Sequence, residues 1–160
     1  MKPKYRNPFE KATGTWLTKR GIGFAYERVK ISFPVPVKGG FCPSCNSILV
    51  YKHSSYLVDF SFDPANYKFY VETKGRLISE SRTRFLALQQ EGHDIRFVFQ
   101  RDNKLSPRSK KRYSDWAKKY GFKYSMGLPD PKWFGNWRKW NDNVSSYTHK
   151  NQNALSLREP

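Results

Sequence analysis

Apolar residues recur near the start of the chain at Phe9, Ala12, Trp16 and Leu17, the spacing of one face of an amphipathic helix. Asn7 stands where the first free backbone N–H groups need an acceptor, and Pro8 follows at the first helical position. A helix is therefore predicted from there until Gly21 stops it. The period then changes to two. In residues 24–33, Ala25, Val29, Ile31 and Phe33 share one face of a strand, which Pro34 and Pro36 are expected to cut off. The connection from 37 to about 55 runs through Gly39-Gly40, Cys42-Pro43-Ser44-Cys45 and an apolar run at 48–51. That is too long for an ordinary loop and predicts structure or function of its own.

Residues 56–62 and 68–74 read as two strands of a hairpin, joined through the turn formers Asp63-Pro64-Ala65-Asn66. Ser79 to about Gln90 reads as a helix, with glycine at 92, and Ile95-Arg96-Phe97-Val98-Phe99 as a strand. A basic helix is predicted over 109–120 with Tyr113, Trp116, Ala117 and Tyr120 on one face, then a short strand at 122–124. Asp130-Pro131 caps a last helical piece carrying Trp133, Phe134, Trp137 and Trp140. Beyond Asn141 the chain is polar and reads as a disordered tail. The order predicts an α/β fold: a mixed central sheet flanked by helices, one domain over 1–140 with an insertion at about 34–56.

Charge changes the picture. Thirty Lys and Arg face 13 Asp and Glu among 160 residues, a net charge of +17, which points to a polyanionic partner. The excess is +7 in residues 1–40 and +9 in 101–140 but only +1 in 41–100, so nearly half of the acids lie between two basic flanks. Acids concentrated at the centre of a phosphate-binding chain suggest metal ligands. No apolar run approaches the roughly 20 residues of a spanning helix. The opening MKPKYRNPFEK also lacks the apolar core of a signal peptide, so a soluble, unexported, cytoplasmic protein without a membrane partner is expected.

The candidate chemistry lies in Tyr70-Val71-Glu72-Thr73-Lys74-Gly75. On a strand Glu72 and Lys74 share one face while Val71 and Thr73 take the other. Asp59, between Val58 and Phe60, sits mid-strand on the partner arm, where an unpaired carboxylate is costly. Pairing across the hairpin would set Asp59 beside Glu72. Two such carboxylates repel unless a cation lies between them, and Mg²⁺ (or Mn²⁺) takes one or two carboxylates plus substrate phosphate. In phosphodiester hydrolysis Asp59 and Glu72 would hold the metal, the Thr73 carbonyl would add a ligand, and Lys74 would orient or deprotonate the attacking water. Glu10, on the first helix, is the candidate carboxylate for a second metal.

Asp59, Glu72-Thr73-Lys74 and a helical Glu10 together resemble the PD-(D/E)XK nucleases. Adding Lys19-Arg20-Gly21-Ile22, Phe24-Ala25-Tyr26-Glu27 and Asp94-Ile95-Arg96-Phe97-Val98-Phe99, the chain over roughly 7–134 looks like the bacteriophage endonuclease I family of four-way-junction resolvases. The resemblance implies a restriction-endonuclease-like core in an element-exchanged homodimer, with Mg²⁺-dependent nicking of branched double-stranded DNA on two strands. It also implies that Glu10 comes from the subunit opposite Asp59, Glu72 and Lys74. The sequence departs from that pattern where Val58 replaces a proline before the aspartate, and where the 34–56 connection is longer and carries CPSC.

Cys42 and Cys45 have the spacing of a zinc knuckle or a redox pair, with two ligands where a structural site needs four. His53 offers a third, and two knuckles meeting across a dimer axis offer four. Arg76, Arg82 and Arg84 after the motif, and Lys110, Lys111, Arg112, Lys118 and Lys119 on the basic helix, are candidate phosphate contacts. Trp133, Trp137 and Trp140 suit either base stacking or packing on the core. Two other readings stand beside the resolvase. One is a sequence-specific duplex endonuclease of homing, restriction or transposase type on the same core. The other is a non-enzymatic zinc-knuckle nucleic-acid-binding protein in which Glu72 and Lys74 form only a salt bridge.

Overall fold

The structure is a computed structural model that describes residues 3–37, 40–47, 50–63, 65 and 67–135. The elements run α1 (Pro8–Lys19), β1 (Ala25–Tyr26), β2 (Lys30–Pro36), β3 (Tyr51–Leu57), β4 (Phe60–Ser61), β5 (Tyr70–Lys74), α2 (Ser79–Gln90), β6 (Ile95–Phe99), α3 (Tyr113–Lys119), β7 (Tyr124–Met126) and a 3-10 turn (Pro131–Phe134). The protein is α/β. Its five-stranded sheet has the order β1-β4-β5-β6-β7, antiparallel at β1/β4 and β4/β5 and parallel at β5/β6 and β6/β7, and β2 and β3 form a separate antiparallel pair.

Strand β6 shows how the sheet divides the core. Ile95, Phe97 and Phe99 pack with Phe85 and Leu88 of α2 and with Tyr113, Trp116 and Ala117 of α3. Val98 points the other way and joins Val71, Phe60, Phe134 and the α1 residues Trp16 and Leu17. Two hydrophobic layers thus clamp β5 and β6, so that the central strands hold the chemistry on a rigid support.

Helices α1 and α2 and strand β6 fall where the residue pattern puts them. Asn7 caps α1 by accepting from the backbone N–H groups of Phe9 and Glu10, and Gly21, at φ 65°, ends it.

Five expectations are corrected. The strand expected over 24–33 divides at Glu27, which has φ 49°: Ala25–Tyr26 joins the five-stranded sheet and Lys30–Pro36 leaves it. Pro34 and Pro36 do not end β2. Val29 accepts from the N–H of Val58 and Val37 donates to Val50, so the odd positions face β3 and the nitrogens of Pro34 and Pro36 face away from it. The hairpin expected from 56–62 with 68–74 forms only at its turn end, Phe60 opposite Val71 and Ser61 opposite Tyr70, because Tyr51–Leu57 pairs with β2 instead. The chain changes sheets at Val58-Asp59.

The fourth correction is the basic helix, which starts at Tyr113 rather than 109. The Ser109 hydroxyl accepts from the Lys111 N–H, and the Asp115 carboxylate accepts from the Arg112 N–H at 2.8 Å, which fixes the helix start. Lys110, Lys111 and Arg112 therefore lie on the approach to α3. The last short strand lies at Tyr124–Met126, two residues beyond its expected place, after Phe122 has been buried beneath α3. Trp137, Trp140 and the polar tail fall outside the described residues.

Candidate active site

The register that pairs Phe60 with Val71 carries Asp59 opposite Glu72. Both are buried, Glu72 at 0% and Asp59 at 5% exposure, a costly position for acids unless each is hydrogen-bonded. They are. The Asp59 carboxylate accepts from the Thr73 backbone N–H at 2.8 Å and the Thr73 hydroxyl at 2.7 Å. One Glu72 oxygen accepts from the Tyr56 hydroxyl at 2.5 Å and from the Lys74 ammonium. The other faces the Asp59 backbone N–H at 3.4 Å. Lys74 also donates to the Tyr56 hydroxyl at 3.2 Å and stands 5.4 Å from the centre of the Phe85 ring.

Burial pushes the Glu72 carboxyl up to about 7, against the pull of Lys74; the negative charge of Asp59 adds to the rise. Burial acts on Lys74 in the opposite sense, but the charge of Glu72, then of Tyr56 and Asp59, outweighs it and holds the ammonium above its ordinary value. Lys74 is thus a fixed cation beside a carboxyl poised to give up a proton. That cation suits orienting a water or a phosphate oxygen better than abstracting a proton.

Glu10, near the start of α1, is held against β1. It is 6% exposed, and its carboxylate accepts from the Tyr26 hydroxyl at 2.5 Å, the Asn7 side-chain amide at 2.7 Å and the Arg6 backbone N–H at 3.1 Å. Glu27 donates its backbone N–H to the Asp59 carbonyl at 3.0 Å and forms an ion pair with Arg6. The Arg6 guanidinium is lowered by burial but raised more by Glu27, Tyr26, Asp59 and Glu10, so one arginine senses both the α1 acid and the strand acids. The structure brings Asp59, Glu72, Thr73 and Lys74 together. It does not bring Glu10 into ligating distance of them: among the described residues, no three His, Cys, Asp or Glu side chains are grouped to hold a metal ion. The oxygen donors of Asp59 and Glu72 nonetheless fit a hard divalent cation that completes its shell with water and substrate.

Two residues of this site were not legible in advance. Tyr56 falls two strands earlier than the motif and reaches Glu72 only because the chain changes sheets after β3. Tyr26 was visible as part of the Phe24-Ala25-Tyr26-Glu27 run, but its bond to Glu10 joins β1 to α1 and needs the tertiary fold.

The basic residues divide. Arg82, Lys111 and Lys119 line a groove of about 670 Å³ between α2 and α3, which continues past Lys104 to Arg76. Lys110, Arg112 and Lys118 are exposed on the same loop and helix. Arg82 also donates to the Leu77 carbonyl at 3.0 Å, and Arg84 is held by Glu80 at 2.9 Å over the Tyr56 ring. Trp133 packs beside the core, with the Arg96 guanidinium 5.9 Å from its ring and 3.6 Å from that of Phe69.

At the far end of the β2/β3 hairpin, Cys42 and Cys45 are free thiols. Hydrogen bonds from the Ser44 hydroxyl and from the Cys45 and Ser44 backbone pull the Cys42 thiol down to about 6. His53 lies down the hairpin, opposite Pro34, and the absence of a three-ligand group among the described residues applies to this end as well.

The phage endonuclease I family model matches residues 2–152, nearly the whole chain and the whole of the site. The chain belongs to the phage endonuclease I family. It is similar to Endonuclease I of Escherichia phage T7, 26% identical over 132 residues that cover 81% of this chain and 77% of the relative. Membership makes this protein a phage-type nuclease, which accords with its net charge of +17. Among the described residues no helix is long and apolar enough to cross a membrane.

Proposed function

We propose that the protein is a divalent-metal-dependent, structure-selective DNA endonuclease of PD-(D/E)XK type. In this reading it resolves four-way junctions by nicking two strands, acts as a homodimer and works in the cytoplasm of an infected host cell. The observation that carries the proposal is the buried Glu72–Lys74 pair on β5, held by Tyr56 and set opposite Asp59, in a chain of this family.

Asp59 and Glu72 would hold Mg²⁺ or Mn²⁺, with the Thr73 carbonyl as a further oxygen. When bound, the cation offsets charge on the phosphate and lowers the pKa of a coordinated water. The chain's own groups do the rest. Tyr56 and Lys74 fix the Glu72 rotamer, Thr73 fixes Asp59, and the Lys74 ammonium, kept charged by Glu72, orients the attacking water and steadies the developing negative charge. Arg76, Arg82, Lys104, Lys111 and Lys119 line a path on which a DNA backbone can lie, flanked by Lys110, Arg112 and Lys118, with Arg84 nearer the site.

The homodimer reading uses the β2/β3 hairpin. If its two strands part below the Cys42–Ser47 turn, the α1–β2 arm of one copy can take, on a second copy, the place it holds here on its own core. Glu10 would then reach the same position from the opposite chain.

The test incubates the protein, with and without Mg²⁺, on a four-way junction and on linear duplexes of the same arm sequences. Expected are paired nicks near the crossover, only with metal, and their loss in Glu72→Ala with junction binding retained. Cutting of one duplex sequence regardless of branching would identify a sequence-specific endonuclease. Tight binding with no hydrolysis in Mg²⁺ or Mn²⁺ would overturn the enzyme reading.

A further inference from the structure

The end of the β2/β3 hairpin is built in a way that strand pairing does not require. Cys42 donates its N–H to the Ser47 carbonyl at 2.8 Å, and the Cys42 carbonyl accepts from Asn46 at 2.9 Å, closing a tight turn around Pro43 and Ser44. Asn46 takes φ 56°, the left-handed conformation that lets the chain turn back directly after the second cysteine. Inside this turn the backbone of Cys45 and Ser44 adds to the Ser44 hydroxyl in favouring the Cys42 thiolate. Each sulfur has a hydroxyl beside it as well, Ser44 at 3.1 Å from Cys42 and Ser47 at 3.2 Å from Cys45. Two thiols on one turn, each with a serine hydroxyl within hydrogen-bond reach of its sulfur, form half of a tetrahedral thiolate site together with outer groups that orient such ligands.

The other half is not present among the described residues. A closed zinc site takes four ligands, and among the described residues no third His, Cys, Asp or Glu is grouped with the two cysteines. The surroundings indicate where the others come from. Phe41, Val50 and Tyr51 expose 40%, 50% and 52% of their surface beside the turn. These apolar groups neighbour a cysteine pair rather than the basic groove, which is the character of a protein contact rather than of a DNA contact. Gly40 lets the two arms close up beneath the turn, since a Cβ there would stand 2.9 Å from the Val50 side chain.

We propose that two copies of this chain share one zinc ion, bound by Cys42 and Cys45 of each, at the point where their Cys42–Ser47 turns, which the arm exchange leaves closed, meet. The proposal rests on the homodimer reading above and adds to it a metal rivet at the twofold axis, chemically distinct from the oxygen-ligand site on β5. Soft thiolates select zinc, while the carboxylates of Asp59 and Glu72 select Mg²⁺ or Mn²⁺, so the two sites do not compete for one ion.

The full chain, purified under reducing conditions without chelator, is analysed for zinc by elemental mass spectrometry and for size by sedimentation. The expected result is one zinc per two chains. Cobalt substituted for the zinc should give the absorption of a four-thiolate tetrahedral site, and both signals should be lost in Cys42→Ser and in Cys45→Ser. Those variants keep the β5 site and should still nick a junction at high protein concentration, while their dimer dissociates at lower concentration than that of the wild type. One zinc per chain, a reduced protein with no zinc, or a cobalt spectrum with nitrogen or oxygen ligands would overturn the proposal. A zinc-free dimer that nicks junctions removes the rivet and leaves the nuclease reading standing, whereas a monomer with no Mg²⁺-dependent cutting removes the homodimeric nuclease itself.

Discussion

Glu72 shows how one side chain can couple folding, metal and pH. Its carboxyl titrates near 7 in the metal-free protein, above its ordinary 4.5, because burial disfavours the charged form more than Lys74 favours it. A raised carboxyl contributes stability that is fully present below the unfolded value and is lost as pH climbs through the folded one. Metal-free protein should therefore lose thermal stability between about pH 4.5 and 7, and Glu72→Gln should flatten that loss; an unchanged slope in the variant would refute the assignment. A divalent cation needs the ionised form, so the Mg²⁺ concentration that half-saturates nicking should rise about tenfold for each pH unit below 7 and be level above it. Tyr56→Phe removes the hydroxyl that bonds both Glu72 and Lys74. The expected cost is about 10–100-fold in metal affinity or nicking rate, measured by Mg²⁺ titration, with the fold retained.

At the scale of elements, the site is assembled where regular structure is interrupted. Asp59 owes its position to the chain leaving the β2/β3 pair and entering the five-stranded sheet within two residues. Glu10 owes its position to the start of α1, where Asn7 does two jobs: its oxygen caps the helix and its nitrogen holds the carboxylate. Asn7→Ala should cost about 1 kcal/mol in thermal or denaturant unfolding and also release Glu10 on one side. Asn7→Asp would keep the cap but set a second negative charge beside Glu10, so a junction-nicking rate that falls in both variants would mark the Glu10 contact, not the cap, as the feature that matters. The strands and helices central to each layer, α1, α2 and β6, were legible because their apolar spacing and end signals agree. The basic helix was read as starting four residues too early, because Ser109 and Asp115 set its start by hydrogen bonds that periodicity does not register.

For the whole molecule, the separation of charge and chemistry is the governing feature. The basic groove between α2 and α3 lies on the helical side of the sheet, and the acids lie on the central strands. Affinity for DNA should fall linearly on a log–log plot against salt, since binding releases counterions from the DNA. Replacing Lys111 and Lys119 together by glutamine should shallow that slope by about two and weaken every DNA substrate alike, because phosphate contacts carry no base information. A variant that lost only junction binding, with its slope unchanged, would show that these lysines read shape. Nicking of bound DNA at saturating protein should stay near the wild-type rate, as both lysines lie in the α2/α3 groove and neither bonds Asp59 or Glu72.

What the residues determined by themselves were the local identities: a capped first helix, the helix–strand unit from Ser79 to Phe99, the acidic centre between basic flanks and the Asp59, Glu72, Lys74 set. These depend on interactions between neighbours in sequence, whose spacing is written along the chain. Only the tertiary structure decided that β2 runs through two prolines, that Tyr56 grips Glu72 and that Glu10 is held by Tyr26. Each of these depends on which strand lies beside which. Strand pairing is a competition between distant segments for the same hydrogen-bonding edge, and here β2 took β3 from the hairpin that the local pattern favoured.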